Sequence, residues 1–394
     1  MTIKFDLIQT MGLAVIVYLL GMHIKSKVAF LRKYFIPAPV IGGLIASILI
    51  FIGIQTGTYK ITMTTTLQNY FMNLFFCTTG FTCSIAIIKK SGKLGAILAV
   101  GAVFFLVVQN IVGVSLAGIF GINKLLGIAM GSISMSGGVG SGAAFGPTLE
   151  KLGADGGTTI GVAAATFGLL MGSIVGGPVA EMLISKYSLK SSFKEGSGTS
   201  DVETKSTISE KHYFMSLILV ICAAAVGSYI HALLIKATGL TFPYYVGCLF
   251  GGMLFRNVMD KKNLSLNMKE IDLIGSVSLN LFLSLALMNL NIAKLVGLAG
   301  PMIVILLVQC VVMMLWSYFV TFRTMGKNYE AAVMAAGHCG VGLGQTPNAV
   351  ANMAAVIEKN GPAPNAWFIL PVITVVFINI MNPIIITTFI NLFK

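Results

Sequence analysis

The chain has 394 residues, 56% hydrophobic and only 10% charged, with a mean hydropathy of +0.90. A soluble domain is about 25% charged, so these proportions exclude a soluble enzyme and place most of the mass in a lipid bilayer. The net charge of +13 does not signal nucleic acid, because the basic residues cluster at the ends of apolar segments, where they set membrane topology.

A helix needs roughly 20 residues to cross a ~30 Å hydrocarbon core. Ten segments qualify: 6–24, 36–54, 69–88, 95–120 and 159–184, then 213–235, 242–258, 272–293, 301–322 and 366–390. The first follows Lys4 and looks like a secretory leader. It lacks an A-x-A cleavage site, however, and a comparable segment opens the second half, so it is expected to be retained as a span. Two further segments, 122–150 and 329–358, are apolar but interrupted. Each contains the string G-V-G-x-G: Gly138-Val139-Gly140-Ser141-Gly142, and 202 residues later Gly340-Val341-Gly342-Leu343-Gly344. Glycine at every second position builds no helix face, since neighbours on a face are three or four residues apart. The expected product is a bare backbone turn, tolerated in lipid only where protein buries it or water lines it. Both segments are therefore read as re-entrant hairpins. The alternative is close helix packing of the G-x-x-x-G kind, against which the two-residue spacing argues.

Residues 186–211 form the only long polar stretch, rich in lysine, serine and glycine, and read as a flexible cytoplasmic linker. It divides the chain into units 1–185 and 212–394, whose landmarks recur in the same order. Val108-Gln109 returns as Val308-Gln309 ahead of each hairpin, Pro37 and Pro243 open each second span, and Pro178 and Pro383 fall late in each last span. With the N-terminus outside, only Lys4, Lys60, Lys124, Lys151, Lys236, Lys294 and Lys394 of the 26 Lys and Arg lie outside, leaving 19 on the cytoplasmic side. That bias obeys the positive-inside rule. Five spans per half is an odd number, so the halves insert upside down relative to each other, and both termini are extracytoplasmic. The expected fold is an all-α membrane protein of two inverted five-span repeats, each with one hairpin, the plan of secondary transporters.

No P-loop, H-E-x-x-H or nucleophile elbow is present, so no enzyme is indicated and no cofactor is called for. The six cysteines form no CxxC pair and read as small apolar thiols. No acid, Lys or Arg sits mid-span, which removes the usual proton relay and any deep cationic clamp. An anion must then be held by backbone N–H groups, helix N-termini and hydroxyls, and a hard cation by carbonyl, hydroxyl and amide oxygens. The substrate candidates are Ser136, Gly137, Gly138, Gly140, Ser141, Gly142, Gly340, Gly342, Gly344, Thr346 and Asn348. The candidates for an ion are Thr79, Asn110, Thr166, Asn289, Asn352 and Asn379. Asn291 and Asn382 also lie in flanking segments, and His338, without an acidic partner, reads as structural.

The string Ala335-Ala336-Gly337-His338-Cys339-Gly340-Val341-Gly342-Leu343-Gly344, followed by Thr346-Pro347-Asn348-Ala349-Val350-Ala351-Asn352-Met353, resembles the second hairpin of bacterial sodium/glutamate symporters. The run from Ser136 to Ala144 is similar to their first hairpin, and Ile36–Leu44 and Met325–Val333 add further likeness. The resemblance implies a multi-pass protein of the bacterial inner membrane that imports glutamate with Na⁺ as coupling ion. A homodimer is the expected assembly. Composition and spacing alone reach only a secondary transporter. The other readings left open are a carrier of citrate or a dicarboxylate, or a cation channel, since G-V-G also occurs in carbonyl-lined filters. A filter needs four such segments around one axis and this chain supplies two.

Overall fold

The computed structural model describes residues 2–191, 209–240, 242–290 and 292–394. It is helical apart from a short parallel pair, β1 (Thr2–Lys4) and β2 (Lys60–Thr62), which the all-α expectation omitted. This pair places the N-terminus at the same end as the loop after the second long helix, as two successive crossings require. Most of the expected linker, residues 192–208, lies outside the described residues, as does Asn291.

In the first half the helices are α1 (Leu7–Lys27), α2 (Ala29–Lys33), α3 (Ala38–Gln55), α4 (Thr66–Phe81), α5 (Ile85–Lys90) and α6 (Gly92–Ile119). Then come α7 (Lys124–Ile128), continued by a wider π-type stretch Ala129–Ile133, α8 (Gly138–Lys151) and α9 (Gly157–Tyr187). The second half repeats the order with α10 (Glu210–Thr238), α11 (Tyr244–Lys261), α12 (Met268–Leu287) and α13 (Ala293–Trp316). It continues through a π-type stretch Ser317–Thr321 and α14 (Phe322–Thr324) to α15 (Tyr329–Leu343), α16 (Thr346–Asn360) and α17 (Pro364–Phe393). Local chemistry sets these boundaries. Asp6 opens α1 with a capping box, accepting from Gln9 N at 2.8 Å while Gln9 Oε1 accepts from Asp6 N at 3.0 Å. Pro37 and Pro243 precede α3 and α11, where a missing N–H costs little, and Asn328 caps α15.

Nine helices among the described residues are long and apolar enough to cross a bilayer, against ten expected. The shortfall is α11, 18 residues long with Arg256, Asp260 and Lys261 in its last turns. The eighth expected span also ends early, at Leu287.

Helix pairings recur when each helix is exchanged for its counterpart in the other half. α1 packs on α3 as α10 packs on α11, α4 on α11 as α12 on α3, and α6 on α17 as α13 on α9. α9 is the central strut, touching α8, α13, α15 and α16. Two carboxylates fasten the interrupted segments to the last helix of each half. Glu150 accepts from Thr158 N at 2.9 Å at the start of α9. Glu330, 8% exposed, accepts from Asn365 N at 3.3 Å and Ala366 N at 2.7 Å at the start of α17. A negative charge at a helix N-terminus is favourable because the unpaired N–H groups there carry partial positive charge.

Candidate functional site

Both interrupted segments are helix–break–helix units, with the breaks at the edges of the glycine strings: the first runs up to Gly138 and the second takes in Gly344. In the first, Gly131 leaves helical geometry (φ −92°, ψ −134°) and the chain re-enters a helix at Gly138. In the second, α15 runs through Leu343, breaks at Gly344 and Gln345, and resumes at Thr346. Val139–Gly142 and Gly340–Leu343 are therefore helical, with Gly138, in the left-handed region, and Gly344 at the edges of the breaks, which corrects the expectation that each whole string is a bare glycine turn. Residues two apart lie about 200° apart around a helix. Alternate glycines thus bare both sides of it, so that neighbours approach closely on each. A Cβ on Gly142 would stand 2.8 Å from the Gly161 carbonyl of α9, whereas Gly140 on the other side faces Phe75 and Leu279 of α4 and α12. In α15, Gly340 meets Ala349 of α16, and Gly342 faces Met313 and Phe105 of α13 and α6. The arms α15 and α16 run antiparallel, with Gly337 against Met353 and Asn352 Nδ2 donating to the Ala336 carbonyl at 3.2 Å.

A broken backbone buried in an apolar interior must have its polar groups satisfied by side chains. At the first break, Asn110 of α6 does this with both ends of its amide. Its Oδ1 accepts from Ser132 N at 3.0 Å and its Nδ2 donates to Ser132 Oγ at 2.8 Å. Asn382 Nδ2 of α17 donates to the Ser132 carbonyl at 2.9 Å. At the second break, Asn348 Nδ2 donates to the Leu169 carbonyl at 2.8 Å and to Ser173 Oγ at 2.5 Å, and Asn352 Nδ2 to the Gly172 carbonyl at 2.8 Å. All three acceptors lie on α9.

One side chain joins the two breaks. Gln109 of α6, fully buried, accepts from Ser136 Oγ at 2.6 Å and donates through Nε2 to the Gly342 carbonyl at 2.7 Å. Ser136 Oγ itself reaches the Gly342 carbonyl at 3.4 Å. Gln309, its counterpart in α13, donates to the Gln109 carbonyl at 2.8 Å. Gly138, with φ +67°, lies where a Cβ would stand 2.7 Å from Gln345 Nε2 of the second break. Residues 206 and 207 positions apart in sequence thus meet at one place.

Of the substrate candidates, Ser136, Gly138 and Gly342 sit at this meeting point. Gly137, Ser141 and Thr346 are half-buried beside it in sequence. Gly140, Gly142 and Gly340 pack helices, while Gly344 and Asn348 lie at the second break on the α9 side. Of the ion candidates, Asn110 uses both ends of its amide at the first break and Asn352 uses its Nδ2 at the second. Thr79 and Thr166 bond back to Phe75 and Val162 of their own helices, and Asn379 is half-buried on α17. Asn289 is exposed and lines a cavity of about 450 Å³ with Gln68, Pro147, Glu150 and Thr158, off the far end of α8. His338 is buried, with Nδ1 2.8 Å from the Thr321 hydroxyl and its ring beside Phe105. The sequence also offers Gln345 as a polar group of the second segment, but the candidates leave out Gln109 and Gln309. The repeated Val-Gln pair marks these two as landmarks, but nothing local to them marks contacts 233 and 200 residues away.

The family model for the sodium/glutamate symporter matches residues 3–362. The sodium/glutamate symporter of Escherichia coli (strain K12) is 36% identical over 393 residues, covering 98% of each chain. That of Haemophilus influenzae is 33% identical over 391 residues, covering 97% of this chain and 96% of its own. Among solved structures, a sodium proton antiporter from Methanocaldococcus jannaschii aligns over 98% of this chain and 96% of its own, at 15% identity and a TM-score of 0.45. Identity above 30% sustained over nearly the whole length decides the matter: the chain belongs to the sodium/glutamate symporter family.

Proposed function

We propose that this protein is a Na⁺-coupled importer of glutamate in a bacterial inner membrane, working by alternating access. The observation that carries the reading is the Gln109–Ser136–Gly342 junction, where two broken helices from opposite halves meet in a buried polar node. In this reading the units 1–185 and 212–394 are inverted five-span repeats with both termini outside, and α11 is the tenth span. The segments 122–150 and 329–358 enter from opposite faces. The names of the relatives support glutamate and sodium as cargo.

The chemistry follows from what the node offers. α8 and α16 both begin at the breaks with no side-chain cap; Gly138 N is taken by the Ser134 carbonyl, Asn348 N by the Gln345 carbonyl, and Pro347 has no N–H, which leaves Val139 N, Gly140 N and Thr346 N to meet a carboxylate. Ser136, Ser141 and Thr346 supply hydroxyls beside them. Such donors are neutral, which lets an anion leave again, whereas a buried Lys or Arg would hold it. The cavity off the far end of α8 is the outer mouth in this arrangement.

Counterflow of labelled glutamate in proteoliposomes tests the reading, with citrate and a dicarboxylate as competitors. Exchange accelerated by unlabelled glutamate and little affected by citrate is the expected result. Exchange driven by citrate in preference to glutamate would overturn the substrate.

A further inference from the structure

Asn348 is fully buried, and the direction of its amide is fixed. The Leu169 carbonyl can only accept, so Nδ2, 2.8 Å away, must be on the α9 side and Oδ1 on the other. Among the described residues that oxygen has no donor. It lies over the C-terminal end of α15. A Cβ on Gly344 would stand 3.0 Å from the Gly340 carbonyl oxygen and 3.3 Å from Asn348 Oδ1, so the two oxygens face one gap that glycine leaves open. The Gly340 carbonyl belongs to the last turn of α15, where carbonyls lack intrahelical donors and the helix dipole is negative.

We propose that the gap bounded by Asn348 Oδ1 and the Gly340 carbonyl at the second break is a binding site for a monovalent hard cation, occupied by the coupling Na⁺. This rests on the Na⁺-coupled reading above and adds to it the ligands. The donor set is neutral oxygen without a carboxylate, which suits a singly charged ion better than Ca²⁺ or Mg²⁺. It assigns Asn348 and Gly344 to the ion rather than to the glutamate carboxylates. The other cation available is the ammonium group of the substrate itself, and the test separates the two.

The experiment measures sodium-22 binding to purified protein without glutamate, and glutamate uptake in proteoliposomes across Na⁺ concentrations. It compares wild type, Asn348→Leu, Gly344→Ala and Gly177→Ala. Gly344→Ala removes no oxygen and fills the gap with a methyl group. Gly177, also on α9, has open space for a methyl and serves as control. Both site variants should raise the Na⁺ concentration for half-maximal uptake by about 10- to 100-fold, the scale for disturbing a metal's surroundings. KM for glutamate at saturating Na⁺ should stay at the wild-type value. If Asn348→Leu fails to fold, Gly344→Ala decides alone, and thermal stabilisation by Na⁺ over choline reads the same site without transport. Wild-type Na⁺ dependence in both variants would overturn the site and leave the coupling standing. A raised glutamate KM with unshifted Na⁺ dependence would assign the gap to ammonium. Loss of Na⁺ dependence from the wild type itself would overturn the coupling.

Discussion

Single residues explain why an alternating glycine string reads ambiguously. The pattern Gly138-Val139-Gly140-Ser141-Gly142 is as consistent with a turn as with a helix pressed from two sides, and only the neighbours decide. Phe75, Leu279 and Gly161 decide for the helix. The glycines are therefore not equivalent. Gly138 alone in the string has a left-handed φ, +67°, a conformation that costs a non-glycine residue on the order of 1–3 kcal/mol. Gly138→Ala should abolish most glutamate uptake while protein reaches the membrane. Gly140→Ala, whose Cβ would meet Phe75 at an ordinary 3.4 Å, should retain most of it. Uptake normalised to membrane-inserted protein checks both, and equal loss in the two variants would contradict the structure. Gln109 is the second residue to change. Gln109→Leu keeps volume but removes the short bonds to Ser136 Oγ and the Gly342 carbonyl and leaves those two only their long 3.4 Å contact with each other, at about 1–3 kcal/mol for a buried polar group left poorly paired. Transport in that variant should fall at least tenfold, by the same assay. The breaks and their polar residues were legible in the chain because hydropathy fails there. The glutamine that joins them was not, because its partners are distant in sequence.

At the scale of helices, α9 holds both breaks. Its early turns pack on α8 at Gly161, and its middle receives Asn348 and Asn352 at Leu169, Gly172 and Ser173. Gly168 and Gly172 stand in a G-x-x-x-G spacing of the kind suited to helix packing. In the structure the partner is the second break itself: a Gly172 Cβ would stand 3.2 Å from the Gly340 carbonyl and 3.4 Å from Gly344 N. Gly172→Ala should consequently lower uptake several-fold where Gly177→Ala leaves it intact, checked by initial rates at equal protein. The spans were legible because their apolar runs exceed the bilayer width. α11 was read as a span on the opening Pro243 and its apolar start, and its charged last turns are what keep it below the others. Opposite entry of the two broken segments is tested by cysteines at Ser141 and Thr346 in a background lacking the six native cysteines. Both positions are half-buried. Ser141→Cys should react with an impermeant maleimide from outside and Thr346→Cys from the cytoplasmic side. Labelling of both from one side only would contradict inverted insertion.

For the whole molecule, hydropathy marks the class before any contact is known, and in the proposed topology the 26 Lys and Arg would divide 19 to 7 in favour of one orientation. What no composition could supply is the driving ion, which depends on a few buried oxygens. Among the described residues, the interior around the breaks uses amides and hydroxyls, and His338 faces a threonine hydroxyl and a phenyl ring rather than a carboxylate. Coupling should therefore be to Na⁺ alone. One Na⁺ moving with one glutamate anion transfers no net charge, whereas each additional Na⁺ would bring about 2.3 kcal/mol per 100 mV of membrane potential. The most direct measurement is labelled glutamate uptake into proteoliposomes under an imposed inward Na⁺ gradient with the pH gradient collapsed by an ionophore. The account predicts accumulation above equilibrium that disappears when choline replaces Na⁺. Uptake that follows the pH gradient and ignores Na⁺ would contradict it.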